Sequence, residues 1–444
     1  MLCPRPDPIH CVLTNLTGHL HSPAFAALAR HPEHPRAFTR SRKLPLPTLI
    51  ACLCGFRGGS VQSEVDSFFA HMDADLSVLR WLSDRALAKA HAKLYVPALW
   101  GLNTKLIQDM QDQGLIALCR GRRLVCADAT LLAPAQRACH RTRRLAASSQ
   151  RALGLYLPGN EVMLHMAVGP EGEGERQMLF DQLDLLHSGD ILVLDRGYPA
   201  TWLVQALHQR GIDFIIRCDS TRGWAAVREM LRRGDTECWA YLPTTQADKV
   251  SVWELDGAAQ MHIRLVRHVS SSGRIRVLAT SLDQSMASMA QLADLYHGRW
   301  RIEEARVCLK HRLGLESVSG LSQHALLVDV ATKVLADNLA ALLNRSVRLP
   351  EPADAGGVRR KVNQAQAART LSRCIGRLLL IAGAAVQIVR DWGRPWGARQ
   401  FAMSQGSLDL ENSPNTSPIP HKLTNGQLKF GGLPAALQSR PPPH

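Results

Sequence analysis

Leu124-Val125-Cys126-Ala127-Asp128-Ala129-Thr130-Leu131-Leu132 is an apolar, strand-forming run with one carboxylate in its middle. It marks the point where the pattern of the chain changes. Upstream, apolar residues recur at helical spacing; from Leu124 they come in short continuous or alternating runs, the pattern of strands. Val162–Val168 alternates and Gly169–Gly174 turns the chain. Ile191–Leu194 is a short apolar run that ends at Asp195, with Gly197 just beyond. Thr201–Arg210 returns to helical spacing, Gly211 closes it, and Phe214–Arg217 is a further strand. Strands alternating with helices predict an α/β layered domain. A carboxylate inside or at the end of a buried strand is costly unless it is paired, hydrogen-bonded or metal-bound. Two of them, Asp128 and Asp195, on central strands of one domain are therefore candidates for a divalent-cation site. The plainer alternative is an Asp that caps a turn, above all Asp195 before Gly197.

Outward from this core, residues 1–118 read as a helical N-terminal domain. Leu46–Phe56 is apolar and Val61–His71 amphipathic. Ser83–Leu94 begins on a capping serine, and Val96–Asp112 is closed by Gly114. Beyond Phe214–Arg217, strand patterns at Glu237–Leu242, Val250–Leu255, Met261–Val269 and Ile275–Thr280 are separated by turn clusters. They predict an antiparallel, all-β insertion over 219–284. Helical spacing returns from Met286 through Leu313, from Gln323 to Asn344, and from about Val358 to Asp391. The catalytic domain would thus comprise 119–218 and 285–345, with a C-terminal helical region over 346–402. The tail 403–444, rich in Pro, Ser, Asn and Gly, is expected to be disordered.

Composition narrows the class of function. The chain has 444 residues and a formal net charge of +15, most of it from arginine. The planar guanidinium is the better bidentate phosphate ligand, so a polyanion, most often nucleic acid, is the expected partner. Basic residues crowd the stretch from Arg120 to Arg151: Arg120, Arg122, Arg123, Arg137, Arg141, Arg143, Arg144 and Arg151, with Asp128 the only acid. That stretch brackets the first aspartate, and Arg141, Arg143 and Arg144 are read as lining a DNA path; a solvated loop is the alternative. The longest apolar runs, Leu46–Phe56 and Leu378–Val389, are only about a dozen residues, too short to span a bilayer. Pro4, Pro6 and Pro8 do not fit a secretory leader. The 11 cysteines show no pairing logic, so a reduced, cytoplasmic setting is expected, not a membrane or disulfide-scaffold protein.

A third element stands at Tyr296-His297-Gly298-Arg299-Trp300-Arg301-Ile302-Glu303-Glu304-Ala305-Arg306-Val307-Cys308-Leu309-Lys310. At 3.6 residues per turn, Tyr296, Arg299, Glu303 and Lys310 fall within about 60° of one another on one helix face, with Arg306 at its edge. One face thus presents an acid among cations and a phenol, the combination that phosphodiester chemistry uses. A solvated charged face is the bland reading of the same pattern. Glu304 points about 100° away; Glu304, Glu316 and Asp219 read as solvent-facing. The histidines His31, His34, His297 and His311 read as surface or structural, without a metal-binding spacing.

With these residues in place, the sequence resembles the DDE transposases of the insertion sequence 4 family, whose signature is Y-x2-R-x3-E-x6-K. Tyr296, Arg299, Glu303 and Lys310 match its fixed residues and spacings. Asp195-Arg196-Gly197-Tyr198 is similar to the family's second-aspartate box, and Asp128 stands where the first is expected. The chain departs at Ala129, where a glycine often follows. The resemblance implies an α/β, RNase H-like catalytic core interrupted by an all-β insertion, between helical N-terminal and C-terminal regions. It implies Asp128, Asp195 and Glu303 as catalytic and metal-holding residues for two Mg²⁺ ions, with Mn²⁺ as a substitute. It implies cleavage of transposon ends and their joining to target DNA, with Tyr296, Arg299, Lys310 and Arg306 contacting DNA near the cut. Trp300 would contact a flipped base of a hairpin intermediate. The partners would be the terminal inverted repeats, target DNA and a second copy in a homodimeric synaptic complex, in a bacterial nucleoid. Two other readings stay open: a nuclease without strand transfer, and a decayed or domesticated copy that binds DNA without cutting.

Overall fold

Helix-forming sequence gives way to strands at Leu124, and the strands assemble into one eight-stranded sheet of order β3-β2-β1-β4-β5-β8-β7-β6. The computed structural model describes residues 7–39, 44–72, 82–134, 149–221, 223–253, 255, 260–269, 273, 275–312, 314–320, 322–347, 360–392 and 401–403. The chain divides into two units, Met1–Gln405 and Gly406–His444. The second unit, with most of the tail read as disordered, lies outside the described residues, as do Arg137, Arg141, Arg143 and Arg144.

In the sheet, β1 (Leu124–Leu132), β2 (Gln150–Leu157) and β3 (Val162–Pro170) form an antiparallel meander. β4 (Ile191–Leu194) and β5 (Asp213–Cys218) continue it in parallel from β1. β6 (Glu237–Tyr241), β7 (His262–Val269) and β8 (Ile275–Thr280) complete it, with β8 antiparallel to β5. Register places the site. Cys126 stands opposite Val193, and Val193 opposite Ile215. Side chains alternate along a strand, so two residues further on Asp128 in the middle of β1, Asp195 just past β4 and Arg217 near the end of β5 reach the same face of three neighbouring parallel strands.

That face is covered by α11 (Met289–His297), α12 (Trp300–Arg312) and α13 (Gln323–Asn344). Leu292, Tyr296, Ile302, Ala305 and Val330 close over Cys126, Val193 and Ile215 in one apolar cluster. The opposite face, with Val125, Leu192 and Phe214, packs on α7 (Glu175–Phe180) and α8 (Thr201–Gln209) through Leu179, Leu203 and Leu207. α13 is buried along most of its length. Asn338 on it accepts from the Met163 N–H at 2.8 Å and donates to Asn103 at 2.7 Å, so the helix is keyed to β3. Asn103 lies on α6 (Val96–Asp112), one of six N-terminal helices among the described residues, with α1 (Pro8–Leu20), α2 (Pro23–Leu28), α3 (Leu46–Gly55), α4 (Val61–Met72) and α5 (Asp84–His91). α1 is entered through Asp7, whose carboxylate caps the Ile9 N–H at 2.9 Å. These helices pack on α13, α14 (Gln364–Leu380) and α15 (Ala384–Trp392). No helix of the described residues is long and apolar enough to cross a membrane.

Three sequence expectations need correction. The stretch 219–284 is not all-β: it contains α9 (Ala225–Arg233) and α10 (Ala247–Val252), and its strands extend the main sheet through β8. Val250–Leu255 alternates like a strand, yet the chain coils there. Trp253, at the end of α10, stacks on Trp202 with centroids 3.7 Å apart, a tertiary contact that outweighs local propensity. The helix read from Met286 to Leu313 is two, α11 and α12, joined at Gly298–Arg299. The block from Val358 to Asp391 begins instead with a strand, β9 (Arg360–Val362), which pairs with β10 (Phe401–Met403).

One buried ion pair fixes the strands that carry the aspartates. Arg123, at the entry to β1, donates from Nε to Asp190 at 2.8 Å, just before β4, and Asp190 also accepts from the His187 N–H. Both side chains are buried. Asp190→Ala would leave the guanidinium unpaired in the interior, a loss of about 3–5 kcal/mol, measurable by urea denaturation. A variant within about 1 kcal/mol of wild type would show that this pair does not hold the strand ends.

Candidate active site

The site is built from the middle of one strand, the end of its neighbour and one helix junction. Asp128 sits within β1, its Oδ1 accepting from the Ala129 N–H at 3.0 Å. Asp195 follows β4 directly. Glu303 is in the first turn of α12, where a carboxylate is favoured by the helix dipole. Between them lies Arg299, only 5% exposed.

The junction puts Arg299 there. Arg299 N–H bonds to Tyr296 C=O at 3.0 Å, Arg301 N–H to Gly298 C=O at 3.1 Å, and Ile302 N–H to Arg299 C=O at 3.0 Å. Three such three-residue spans within four residues tighten the chain relative to an α-helix. A Cβ at Gly298 would lie 3.1 Å from the Leu295 carbonyl and 3.7 Å from Leu124 Cδ2, so a glycine lets the junction approach the start of β1. Tyr296 on α11, Arg299 in the joint and Glu303 on α12 thereby converge, although they do not share one straight helix.

Arg299 Nη1 donates to Asp128 Oδ2 at 3.2 Å and Nη2 to Glu303 Oε1 at 2.8 Å. Its guanidinium carbon lies 5.9 Å from the Tyr296 ring centroid, and its Nε has no partner. Tyr296 Oη donates to Asp195 Oδ1 at 3.0 Å, and Arg217 Nη1 stands 3.6 Å from the same oxygen. Asp128, Asp195, Glu303, Tyr296 and Arg299 are thus one cluster. Lys310 is placed beside it: its Nζ reaches the Leu131 carbonyl and, at 3.3 Å, Glu316. Trp300 is 53% exposed, standing beside the cluster and not within the core. The side chain of Arg306 lies outside the described residues.

Burial alone would push the Arg299 guanidinium down, but Tyr296, Asp195, Asp128 and Glu303 around it drive it above its ordinary value. Burial and the Asp195 charge push the Tyr296 phenol up to about 12. Burial works to raise Asp195. It is outweighed by the Arg196 backbone hydrogen bond, the Arg299 charge, the Tyr296 hydroxyl and Arg217, and the carboxyl is held below its usual range. Beneath Asp128, burial pushes the Cys126 thiol up to about 12, far from a reactive thiolate.

Two residues of the site escaped the sequence reading. Arg217 could have been found from strand parity, since it follows Ile215 by two as Asp195 follows Val193. Glu316 was read as solvent-facing, yet it accepts from the Ala133 N–H at 2.9 Å as well as pairing with Lys310. The basic stretch, in turn, is partly consumed by the fold. Arg122 pairs with Asp213, Arg123 with Asp190 and Arg151 with Glu175, while Arg120 bonds to the Ser285 carbonyl.

The donor set is three carboxylates without thiolate or imidazole, which suits a hard divalent cation. The chemistry of the ligands fits such an ion. Among the described residues, however, no three His, Cys, Asp or Glu side chains surround a single point as a bound metal would require. Asp128 and Glu303 are turned onto Arg299 instead.

A buried arginine among carboxylates from two sheet strands and a helix defines a candidate acid-rich enzyme site. Residues 120–339, which carry all of it, match the family model of the transposase DDE domain, and this match supports a DDE transposase. No curated protein sequence matches the chain. Among solved structures, the cryo-EM structure of the piggyBac transposase synaptic complex with hairpin DNA is similar, at 11% identity and a TM-score of 0.37, over 87% of this chain and 82% of that one.

A carboxyl depressed in the folded state stabilises the fold above its unfolded value, about 3.9, and that contribution is lost as pH falls through the folded value. Tyr296→Phe removes a hydrogen bond to ionised Asp195. The Asp195 midpoint in a carbon-13 NMR titration should therefore rise toward the ordinary range, and the acid-side loss of stability, which starts at the unfolded value in both proteins, should be smaller and complete at higher pH. An unmoved midpoint would show that the phenol does not support the charge.

Proposed function

We propose that this chain is a DDE transposase of the insertion sequence 4 type, cutting transposon ends and joining them to target DNA with Asp128, Asp195 and Glu303 at its centre. The observation that carries the reading is their convergence, from two adjacent strands and a helix, inside the stretch that matches the transposase DDE domain. The strand order β3-β2-β1-β4-β5, antiparallel then parallel, supports an RNase H-like core.

Asp128, Asp195 and Glu303 would hold divalent cations, Mg²⁺ or Mn²⁺. Such ions, when bound, supply Lewis acidity to the phosphodiester and lower the pKa of an attacking water or 3′-hydroxyl. The chain's own residues do the rest. Arg217 and Arg299 offer planar forks to phosphate oxygens at the cluster, and Lys310 adds a point charge where the chain leaves β1. Tyr296 keeps Asp195 ionised and oriented. Trp300, exposed next to Arg299, presents a face on which an extruded base can stack. The same carboxylates would serve hydrolysis at the transposon end and the later attack of the freed 3′-hydroxyl on target DNA. Two copies would meet in the synaptic complex, since two ends must be joined together.

The test is a nicking and joining assay on supercoiled DNA carrying the element's own ends, with Mg²⁺ or Mn²⁺. Asp195→Ala and Glu303→Ala should each lower cleavage by at least about 10³-fold, the scale of a lost transition-state charge stabiliser. Cleavage that survives either change removes the assignment. Cutting without joined product would make the chain a nuclease, and binding without cutting a DNA-binding relative.

A further inference from the structure

The catalytic reading gives Asp128 and Glu303 to a cation, yet in the structure both carboxylates are taken by Arg299. A guanidinium on Asp128 Oδ2 and Glu303 Oε1 competes with a divalent cation for those oxygens, and the like charges repel at close range. We infer that Arg299 is a displaceable counter-ion: it closes the carboxylates in the DNA-free protein and releases them to metal when a DNA phosphate draws it away. The inference rests on the site being a divalent-metal site for DNA, as proposed above, and adds an order of loading to it.

Three observations carry it. First, the two contacts are made by the two terminal nitrogens of one side chain, so a single movement of Arg299 frees both carboxylates together. Second, the paired state leaves Arg299 Nε buried and without a partner. An unmet buried donor has a cost. A phosphate, which accepts a fork of two parallel N–H groups, could use Nε with one terminal nitrogen and remove that cost. Third, Glu303 and Asp195 are half-buried, with side-chain exposures of 33% and 28%. The cluster therefore has a side on which an incoming phosphate can meet the guanidinium. Arg217 already faces that region from Asp195, giving the phosphate a second cation.

The consequence is a thermodynamic coupling. If DNA removes Arg299 from the carboxylates, DNA must raise metal affinity, and metal must raise DNA affinity by the same factor. Without DNA the site would be held shut by its own arginine, so the metal would load only once DNA is in place. Tyr296 is suited to the change. Its ring lies against the guanidinium while its hydroxyl is fixed on Asp195, so it keeps the second carboxylate in place while the arginine moves.

Mn²⁺ binding to the full-length chain, followed by the electron paramagnetic resonance signal of free Mn²⁺, tests this without reference to activity. The proteins are wild type, Arg299→Gln, Arg299→Lys and Glu303→Gln, each with and without a short DNA duplex. Without DNA, Arg299→Gln should bind Mn²⁺ about tenfold more tightly than wild type, within the usual range of coupling between sites. Arg299→Lys, which keeps a charge but cannot fork to both carboxylates, should fall between. Adding duplex should raise wild-type affinity by a similar factor and leave Arg299→Gln unchanged. Circular dichroism establishes that each variant is folded, and Mn²⁺ should raise the melting temperature of Arg299→Gln more than that of wild type. If Arg299→Gln binds Mn²⁺ no better than wild type while Glu303→Gln loses binding, the metal site stands and the exchange is wrong. If Glu303→Gln leaves Mn²⁺ binding unchanged, the metal site itself is wrong and the exchange falls with it.

Discussion

A guanidinium buried to 5% exposure needs compensating charge, and the fold around the site is arranged to give it. Stripping water from a cation costs several kcal/mol unless carboxylates and hydrogen bonds replace it. For Arg299 the replacement comes from β1 through Asp128 and from α12 through Glu303, with Tyr296 stacked alongside. Asp195 adds its field and is itself held by Tyr296 and Arg217. Segments more than a hundred residues apart in sequence are thereby bound to one side chain. The register of β1, β4 and β5 and the tight joint at Gly298 are the conditions that let them meet.

Much of this was legible in the chain. Asp128 and Asp195 stood out because each interrupts or ends an apolar run, and strand parity then orients them. The signature residues could be aligned because Tyr296, Arg299 and Glu303 keep helical spacing through most of the joint. What stayed hidden depends on contacts between distant segments. Nothing local tells Val250–Leu255 that Trp253 will stack on Trp202, so an alternating pattern was read as a strand where the chain forms α10. Nor does spacing announce the break at Gly298, where three-residue hydrogen-bond spans tighten the chain and a side chain would crowd the Leu295 carbonyl. Arg217 was concealed because an arginine at a strand end is ordinary until its neighbour across the sheet is known to be Asp195.

The basic charge acquires a more selective meaning. Arg122, Arg123 and Arg151 are spent on Asp213, Asp190 and Glu175, tying β1, β2 and the strands beside them to their surroundings. They are structural cations. Among the described residues, the cations beside the carboxylate cluster are a smaller set: Arg299 and Arg217 at the carboxylates, and Lys310 at the exit of β1. Net charge marks a protein for a polyanionic partner, whereas position decides which cations remain to meet it.

The central claim is that Asp128, Asp195 and Glu303 form one cation site. Iron-directed cleavage addresses it most directly: Fe²⁺ bound in place of the native ion, with ascorbate and peroxide, yields radicals that cut the nearest backbone. The account predicts cuts near residues 128, 195 and 303, strengthened when duplex DNA is present and lost in Glu303→Gln. Cuts confined to other regions, or an unchanged pattern in Glu303→Gln, would contradict it.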